Sequence, residues 1–105
     1  MTTLKALTDP VEQVCDLYAA RCGIERTDDW YLLKITEELG ELVQAHLKLT
    51  GRGRTKGLSE AELTAQRADE AADLLCQVLL YCRRFDIDLD QAIQRKWLSW
   101  LDKAA

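Results

Sequence analysis

The sequence predicts an all-α protein organised as a bundle of four helices. Apolar residues recur at intervals of three and four positions through most of the 105 residues, which is the spacing of amphipathic helices. Helix-capping residues and glycines separate these periodic segments. Little of the chain has the alternating pattern of a β-strand. Together these observations favour helices that pack on one another.

The first predicted helix spans residues 10–22. Asp9 is a candidate N-cap, Pro10 fits the first helical position, and Gly23 fits the C-terminal end.

The second predicted helix spans residues 28–50, with Thr27 as its cap and Gly51 as its terminator. Its apolar stripe contains Leu32, Ile35, Leu39, Leu42, His46 and Leu49. Since His46 lies within this stripe, packing in a core or an interface is favoured for it over a role as a ligand.

A basic loop precedes the third predicted helix and contains Arg52, Arg54 and Lys56. Such a loop could close over phosphates, although a solvated loop is the simpler interpretation. Ser59 and Glu62 form a capping-box pattern that opens a helix reaching about residue 85. Residues 71–82 are apolar on nearly every side, so one short chain cannot easily bury them. We therefore expect a homodimer or homotetramer.

The last predicted helix spans residues 89–101, and Asp88 with Gln91 is its N-terminal signal. No linker or repeat divides the chain, so residues 1–105 are expected to form a single domain.

Composition narrows the classes of partner. The net charge of −4 and the pI near 4.9 argue against binding to nucleic acids or anionic membranes. No segment approaches the roughly 20 apolar residues of a membrane span, and the first residues lack the apolar region of a signal peptide. The four cysteines lie mostly among apolar neighbours, as buried reduced thiols do. A cytoplasmic location is the simplest expectation.

Two pairs of acidic residues are the most informative feature. Glu38 with Glu41, and Glu70 with Asp73, are each three positions apart, so both carboxylates of a pair lie on one face of a helix. Acidic residues are common on solvated helix faces, but these border the most apolar parts of the chain. Carboxylates that are buried without a partner must protonate or bind a cation. The pattern favours a site for Mg²⁺, with Mn²⁺ as a possible substitute.

The order of these acids resembles the signature of the MazG-like all-α nucleoside triphosphate pyrophosphohydrolases. Glu37-Glu38-x-x-Glu41 is followed by 28 residues and then by Glu70-x-x-Asp73. The similarity covers residues 30–97 and extends to Lys34, Gly40 and Lys96.

The resemblance implies a MazG-like four-helix bundle that is completed by homo-oligomerisation. It also implies hydrolysis of (deoxy)nucleoside triphosphates between the α and β phosphates, giving a monophosphate and pyrophosphate. Glu38, Glu41, Glu70 and Asp73 would then ligate Mg²⁺. Glu37 would be an accessory catalytic acid beside Glu38, either contacting the metal's outer sphere or orienting the attacking water. The chain lacks the asparagine that many relatives place near Lys96, which bears on the pyrophosphate and sugar contacts.

The candidate phosphate contacts are Lys34 and Lys96. Lys34 lies one helical turn before Glu38, and Lys96 lies in the last predicted helix. Trp30 and Trp97, with Tyr31 and Trp100, are candidate walls for a nucleobase, although core or interface packing is common for any single tryptophan.

Two other classes are open to this chain. One is a non-catalytic helical module for nucleotide sensing or partner binding. The other, a di-iron bundle, is disfavoured because it requires Glu-x-x-His motifs and the sequence has none.

Overall fold

The computed structural model describes residues 3–104, with the side chains of 3–103, and within this range the chain is helical without strands. The all-α prediction is therefore confirmed. All four predicted helices are present, the last of them in three consecutive segments. In chain order the elements are α1 (Leu4–Cys22), α2 (Asp28–Leu49), α3 (Glu60–Arg84), α4 (Leu89–Ile93), a π-helical segment (Gln94–Leu98) and α5 (Ser99–Ala104).

The predicted start of the first helix at Pro10 is wrong, because α1 begins six residues earlier, at Leu4. Pro10 lies inside the helix, where it has no N–H to donate to the carbonyl of Ala6. The predicted end is confirmed: Gly23 adopts the left-handed conformation with φ of 64° and caps the helix.

The early start of α1 depends on a residue far along the chain. The two carboxylate oxygens of Asp90 accept hydrogen bonds from the backbone N–H groups of Leu4 and Lys5, each at 3.1 Å. Thr3 is the N-cap, and its hydroxyl accepts a hydrogen bond from the N–H of Ala6 at 3.0 Å. These contacts satisfy N–H groups that a helix N-terminus otherwise leaves without acceptors.

The caps predicted from neighbouring residues are confirmed. The Thr27 hydroxyl accepts a hydrogen bond from the N–H of Trp30 at 3.2 Å, and α2 ends one residue before the predicted position. At the start of α3, Ser59 and Glu62 exchange two hydrogen bonds of 3.1 Å, which is the geometry of a capping box. Asp88 accepts a hydrogen bond from the N–H of Gln91 at 3.0 Å.

The π-helical segment Gln94–Leu98 interrupts the last helix, and the sequence pattern does not predict it. A π-helical turn is wider than an α-helical turn and is often found near functional residues. Lys96 and Trp97 both lie in this segment.

The helices group into two compact units. The first contains the described residues up to Arg26 and those from Leu79 onward. In it, Arg83 of α3 pairs with Asp9 at 2.7 Å and with Glu12 at 2.9 Å, which ties α3 to α1. Its buried residues are Thr8, Cys15, Ala19, Leu79, Leu80 and Cys82.

The second unit, Thr27–Val78, contains α2 and most of α3. Ala45 of α2 and Leu63 of α3 are its buried apolar residues. Glu38 is buried in the same unit with 8% of its surface exposed, which is unusual for a glutamate.

The apolar segment of α3 is only partly buried within the single chain. Leu79 and Leu80 are 2% and 5% exposed, whereas Leu75 is 43% exposed. Large apolar residues are also exposed on α2, namely Leu32, Leu33, Leu39 and Val43. Among the described residues no helix has both the length and the apolar character that crossing a bilayer requires.

Candidate metal centre

The α2 side of the site is built by helical spacing. Trp30, Lys34 and Glu38 follow one another at intervals of four residues, and Glu41 comes three residues later. Residues at these intervals lie on one face of an α-helix. Since α2 is continuous over Asp28–Leu49, it presents a ring system, a cation and two carboxylates along a single face.

The α3 side contributes Glu70 and Asp73, again three residues apart on one face. One carboxylate oxygen from each of Glu38, Glu41, Glu70 and Asp73 can be chosen such that all four lie within 4.8 Å of one another. The structure therefore brings together the four acids that the sequence pattern singles out.

The four carboxylates differ in exposure. Glu38 is buried, Glu70 is half-buried, and Glu41 and Asp73 are exposed, so the cluster opens to solvent on one side. One oxygen of Glu38 and one of Glu70, Oε2 in both, are buried without a hydrogen-bond partner among the described residues. Buried carboxylate oxygens without donors are unfavourable unless a proton or a cation reaches them.

The shared environment raises the pKa of two of these acids in the metal-free protein. For Glu38 the main cause is burial, and the charges of Glu41 and Asp73 act in the same direction while Lys34 opposes them. For Glu70 the main cause is again burial, followed by a hydrogen bond with Glu41 and the charge of that residue. In both residues burial disfavours the charged form first, and the neighbouring carboxylates add to the effect.

Lys34 provides the nearest positive charge. Its Nζ atom lies 3.2 Å from Glu37 Oε2 and 3.6 Å from Glu38 Oε1. Burial lowers the pKa of Lys34, but the hydrogen bond and charge of Glu37, together with Glu38, outweigh it and raise the pKa. Lys34 is thus held as a cation at the edge of the cluster. Glu37 is more than half exposed and is outside the group of four.

The donor set fits a hard divalent cation. All four groups are carboxylates, the ligand type that Mg²⁺, Mn²⁺ and Ca²⁺ prefer. Opposite ligands of an octahedral Mg²⁺ are about 4.2 Å apart, given metal–oxygen distances of about 2.1 Å. A span of 4.8 Å therefore accommodates one such ion with a small inward movement of the side chains.

The predicted nucleotide contacts are placed in different units. Trp30 is half-buried in the second unit, where its ring meets Tyr31 edge-to-face at 5.1 Å between centroids. Lys96 and Trp97 belong to the first unit and are exposed, with Trp97 71% exposed. Contact of these residues with a nucleotide remains a prediction.

The basic loop forms a cavity of about 270 Å³ with the end of α2. Lys48, Arg54 and Lys56 contribute cationic side chains to its lining. Arg52 instead donates hydrogen bonds to the Thr50 hydroxyl at 3.1–3.2 Å. All residues of the loop from 51 to 58 are exposed, which agrees with the solvated loop that the sequence favours.

Two glutamines of α3 also have a buried side-chain oxygen without a partner among the described residues. They are Gln66, four residues before Glu70, and Gln77, four residues after Asp73. We did not predict them from the sequence. The four-residue spacing is visible in the sequence, but it does not distinguish these two glutamines from other polar residues of α3.

Comparisons of the chain with protein-family models, with curated proteins and with solved structures find no match.

Proposed function

We propose that this protein is a Mg²⁺-dependent nucleoside triphosphate pyrophosphohydrolase of the MazG-like class. It would cleave (deoxy)nucleoside triphosphates between the α and β phosphates and release a monophosphate and pyrophosphate. The observation that supports this most is the convergence of four carboxylate oxygens from α2 and α3 within 4.8 Å, with Glu38 buried. The order of these four acids along the chain resembles the family signature described above.

In this proposal Glu38, Glu41, Glu70 and Asp73 hold the metal. When bound, Mg²⁺ neutralises phosphate charge and lowers the pKa of a coordinated water. A polyphosphate carries the same sign of charge as the four carboxylates, so the protein is expected to bind nucleotide weakly without metal.

Lys34 and Glu37 take the roles beside the metal. Lys34 already lies within 3.6 Å of Glu38 and would turn its ammonium group to a phosphate oxygen. Glu37 is the more exposed partner of Lys34 and would orient the attacking water or accept its proton. Trp30 continues the same face of α2 and would stack on the base. Contacts of Lys96 and Trp97 with the nucleotide are implied by the family resemblance alone.

We also infer that the chain assembles as a homodimer or homotetramer. Leu32, Leu39 and Val43 form an exposed apolar stripe on α2, each about half exposed. Val14, Leu17 and Tyr18 form a second on α1, between 51% and 72% exposed. Exposed apolar patches of this kind are typical of surfaces that associate. The four cysteines are free thiols, which suits a reducing compartment such as the cytoplasm.

The direct test is a panel of ribonucleoside and deoxyribonucleoside triphosphates incubated with the protein and Mg²⁺, with products resolved by ³¹P NMR. We expect a monophosphate and pyrophosphate, no reaction in EDTA, and no reaction with a Glu38→Gln variant that retains its helicity. A diphosphate and inorganic phosphate as products would contradict the proposed bond cleavage. Nucleotide binding without turnover of any member of the panel would favour the non-catalytic sensing module instead.

A further inference from the structure

Four side-chain oxygens in Thr27–Val78 are buried and have no hydrogen-bond partner among the described residues. They are Oε2 of Glu38, Oε2 of Glu70, Oε1 of Gln66 and Oε1 of Gln77. Two belong to the carboxylate cluster, and two belong to neutral amides. Partnerless buried acceptors are rare in folded proteins, so four within one small unit require an explanation.

The two glutamines bracket the acidic pair. Gln66 precedes Glu70 by four residues and Gln77 follows Asp73 by four residues, so all four lie on one face of α3. The backbone positions of the two glutamines therefore lie about one helical turn beyond either end of the pair. Glu38 of α2 reaches the same cluster and has only 10% of its side chain exposed.

The amides need a different kind of partner from the carboxylates. A carboxylate oxygen can be satisfied by a cation directly, whereas a neutral amide oxygen needs a hydrogen-bond donor. Lys34, the cation nearest Glu38, is already paired with Glu37 and Glu38. Mg²⁺ and Mn²⁺ retain several coordinated waters, and such waters are hydrogen-bond donors.

We propose that Gln66 and Gln77 are positioning residues that accept hydrogen bonds from the waters of a divalent cation held by the four carboxylates. This inference rests on the metal centre of the proposed function. The glutamines would fix the orientation of the bound waters and increase the affinity for the ion. Partners of this outer kind typically change metal affinity by about 10–100-fold when removed.

The test uses Gln66→Met and Gln77→Met, which keep the side-chain length and remove the amide. Binding of Mn²⁺ is measured by calorimetry, and thermal unfolding is measured separately in EDTA. We expect each variant to bind Mn²⁺ about 10–100-fold more weakly. We also expect an unchanged or higher Tm in EDTA, because the substitution removes an unsatisfied buried acceptor from the metal-free protein. Gln91→Met, at an exposed glutamine of α4, is the matched control.

The outcomes separate this inference from the metal centre itself. Failure of the wild-type protein to bind Mn²⁺ would overturn the metal centre. Wild-type binding with equal affinity in both glutamine variants and the control would overturn only the role of the glutamines. A lower Tm in EDTA together with weaker binding would show that the glutamines stabilise the fold, and would also overturn the inference.

Discussion

Glu38 is a charged residue in surroundings that do not favour its charge. Its side chain is 10% exposed, one oxygen has no partner among the described residues, and its ion pair with Lys34 is long at 3.6 Å. The i,i+3 spacing predicts which acids share a face, but it cannot predict which oxygen is buried without a donor. That outcome depends on how α3 packs against α2, and for the same reason Gln66 and Gln77 were missed.

The raised pKa values of Glu38 and Glu70 predict how the stability of the metal-free protein depends on pH. An acid with a higher pKa in the folded state than in the unfolded chain stabilises the fold below the unfolded pKa, and this contribution is lost as the pH rises through the folded pKa. We expect the contribution of these two acids to the free energy of unfolding to decrease as the pH rises above their ordinary value of 4.5.

The measurement is urea unfolding in EDTA at a series of pH values, for the wild type and for Glu38→Gln and Glu70→Gln. Since glutamine does not titrate, the stability of each variant relative to the wild type should increase with pH over this range. A difference that does not change with pH would contradict the assigned burial of the two carboxylates.

At the scale of the helix, boundaries were predictable where the capping residue is a near neighbour. Three caps of this kind act over three residues, and the sequence predicts all of them correctly: Thr27, the pair Ser59–Glu62, and Asp88. The predicted start of α1 was wrong although Thr3, its N-cap, also acts over three residues. Asp90, on another helix, accepts the hydrogen bonds of the Leu4 and Lys5 N–H groups, and local spacing does not reveal that contact. The π-helical segment was also missed, since no local residue pattern distinguishes it from the surrounding helix.

Removing the hydrogen bonds of Asp90 is expected to decrease the free energy of unfolding. Asp90→Ala removes the acceptors of the Leu4 and Lys5 N–H groups, and losing a helix cap typically destabilises a protein by about 0.5–2 kcal/mol. Urea unfolding should show a decrease of this size, with helicity lost first from the α1 terminus. Asp69→Ala, at an exposed aspartate within α3, should have a smaller effect. Equal effects of the two substitutions would contradict the long-range cap.

Replacing two glycines by alanine is expected to have opposite effects on the free energy of unfolding. A Cβ atom at Gly40 would meet no heavy atom within 4 Å in this chain, so Gly40→Ala should stabilise α2 by about 0.5–1 kcal/mol. Gly23 has φ of 64°, and Gly23→Ala should destabilise the end of α1 by about 1 kcal/mol. Urea unfolding measures both. Loss of stability in Gly40→Ala would indicate close packing against that face of α2.

At the scale of the whole molecule, the apolar stripes on α1 and α2 are surface that a single chain does not bury. The sequence predicts the helices and the excess of apolar surface on α3, but helical periodicity does not distinguish a residue buried by its own chain from one buried by another copy. Leu75 and Leu79 illustrate this, because both belong to the same apolar segment and are 43% and 2% exposed.

The inferred assembly predicts the effect of charges on the α2 stripe. Leu39→Lys combined with Val43→Lys places two cations one helical turn apart on a surface that should be buried between copies. Light scattering after size-exclusion chromatography should show a dimer or tetramer for the wild type and a smaller species for this variant. Gln44→Lys adds a charge on another face of α2 and is the control. A monomeric wild type would contradict the inferred assembly.

The central claim is that Glu38, Glu41, Glu70 and Asp73 bind a divalent cation, because the proposed hydrolysis and the role of the glutamines both depend on it. Calorimetric titration of the metal-free protein with Mn²⁺ tests this most directly. We expect saturable binding in the wild type, a decrease in affinity of at least about tenfold in Glu38→Gln, and little change in Asp69→Asn. Absence of binding in the folded wild type, or equal affinity in Glu38→Gln, would contradict the claim.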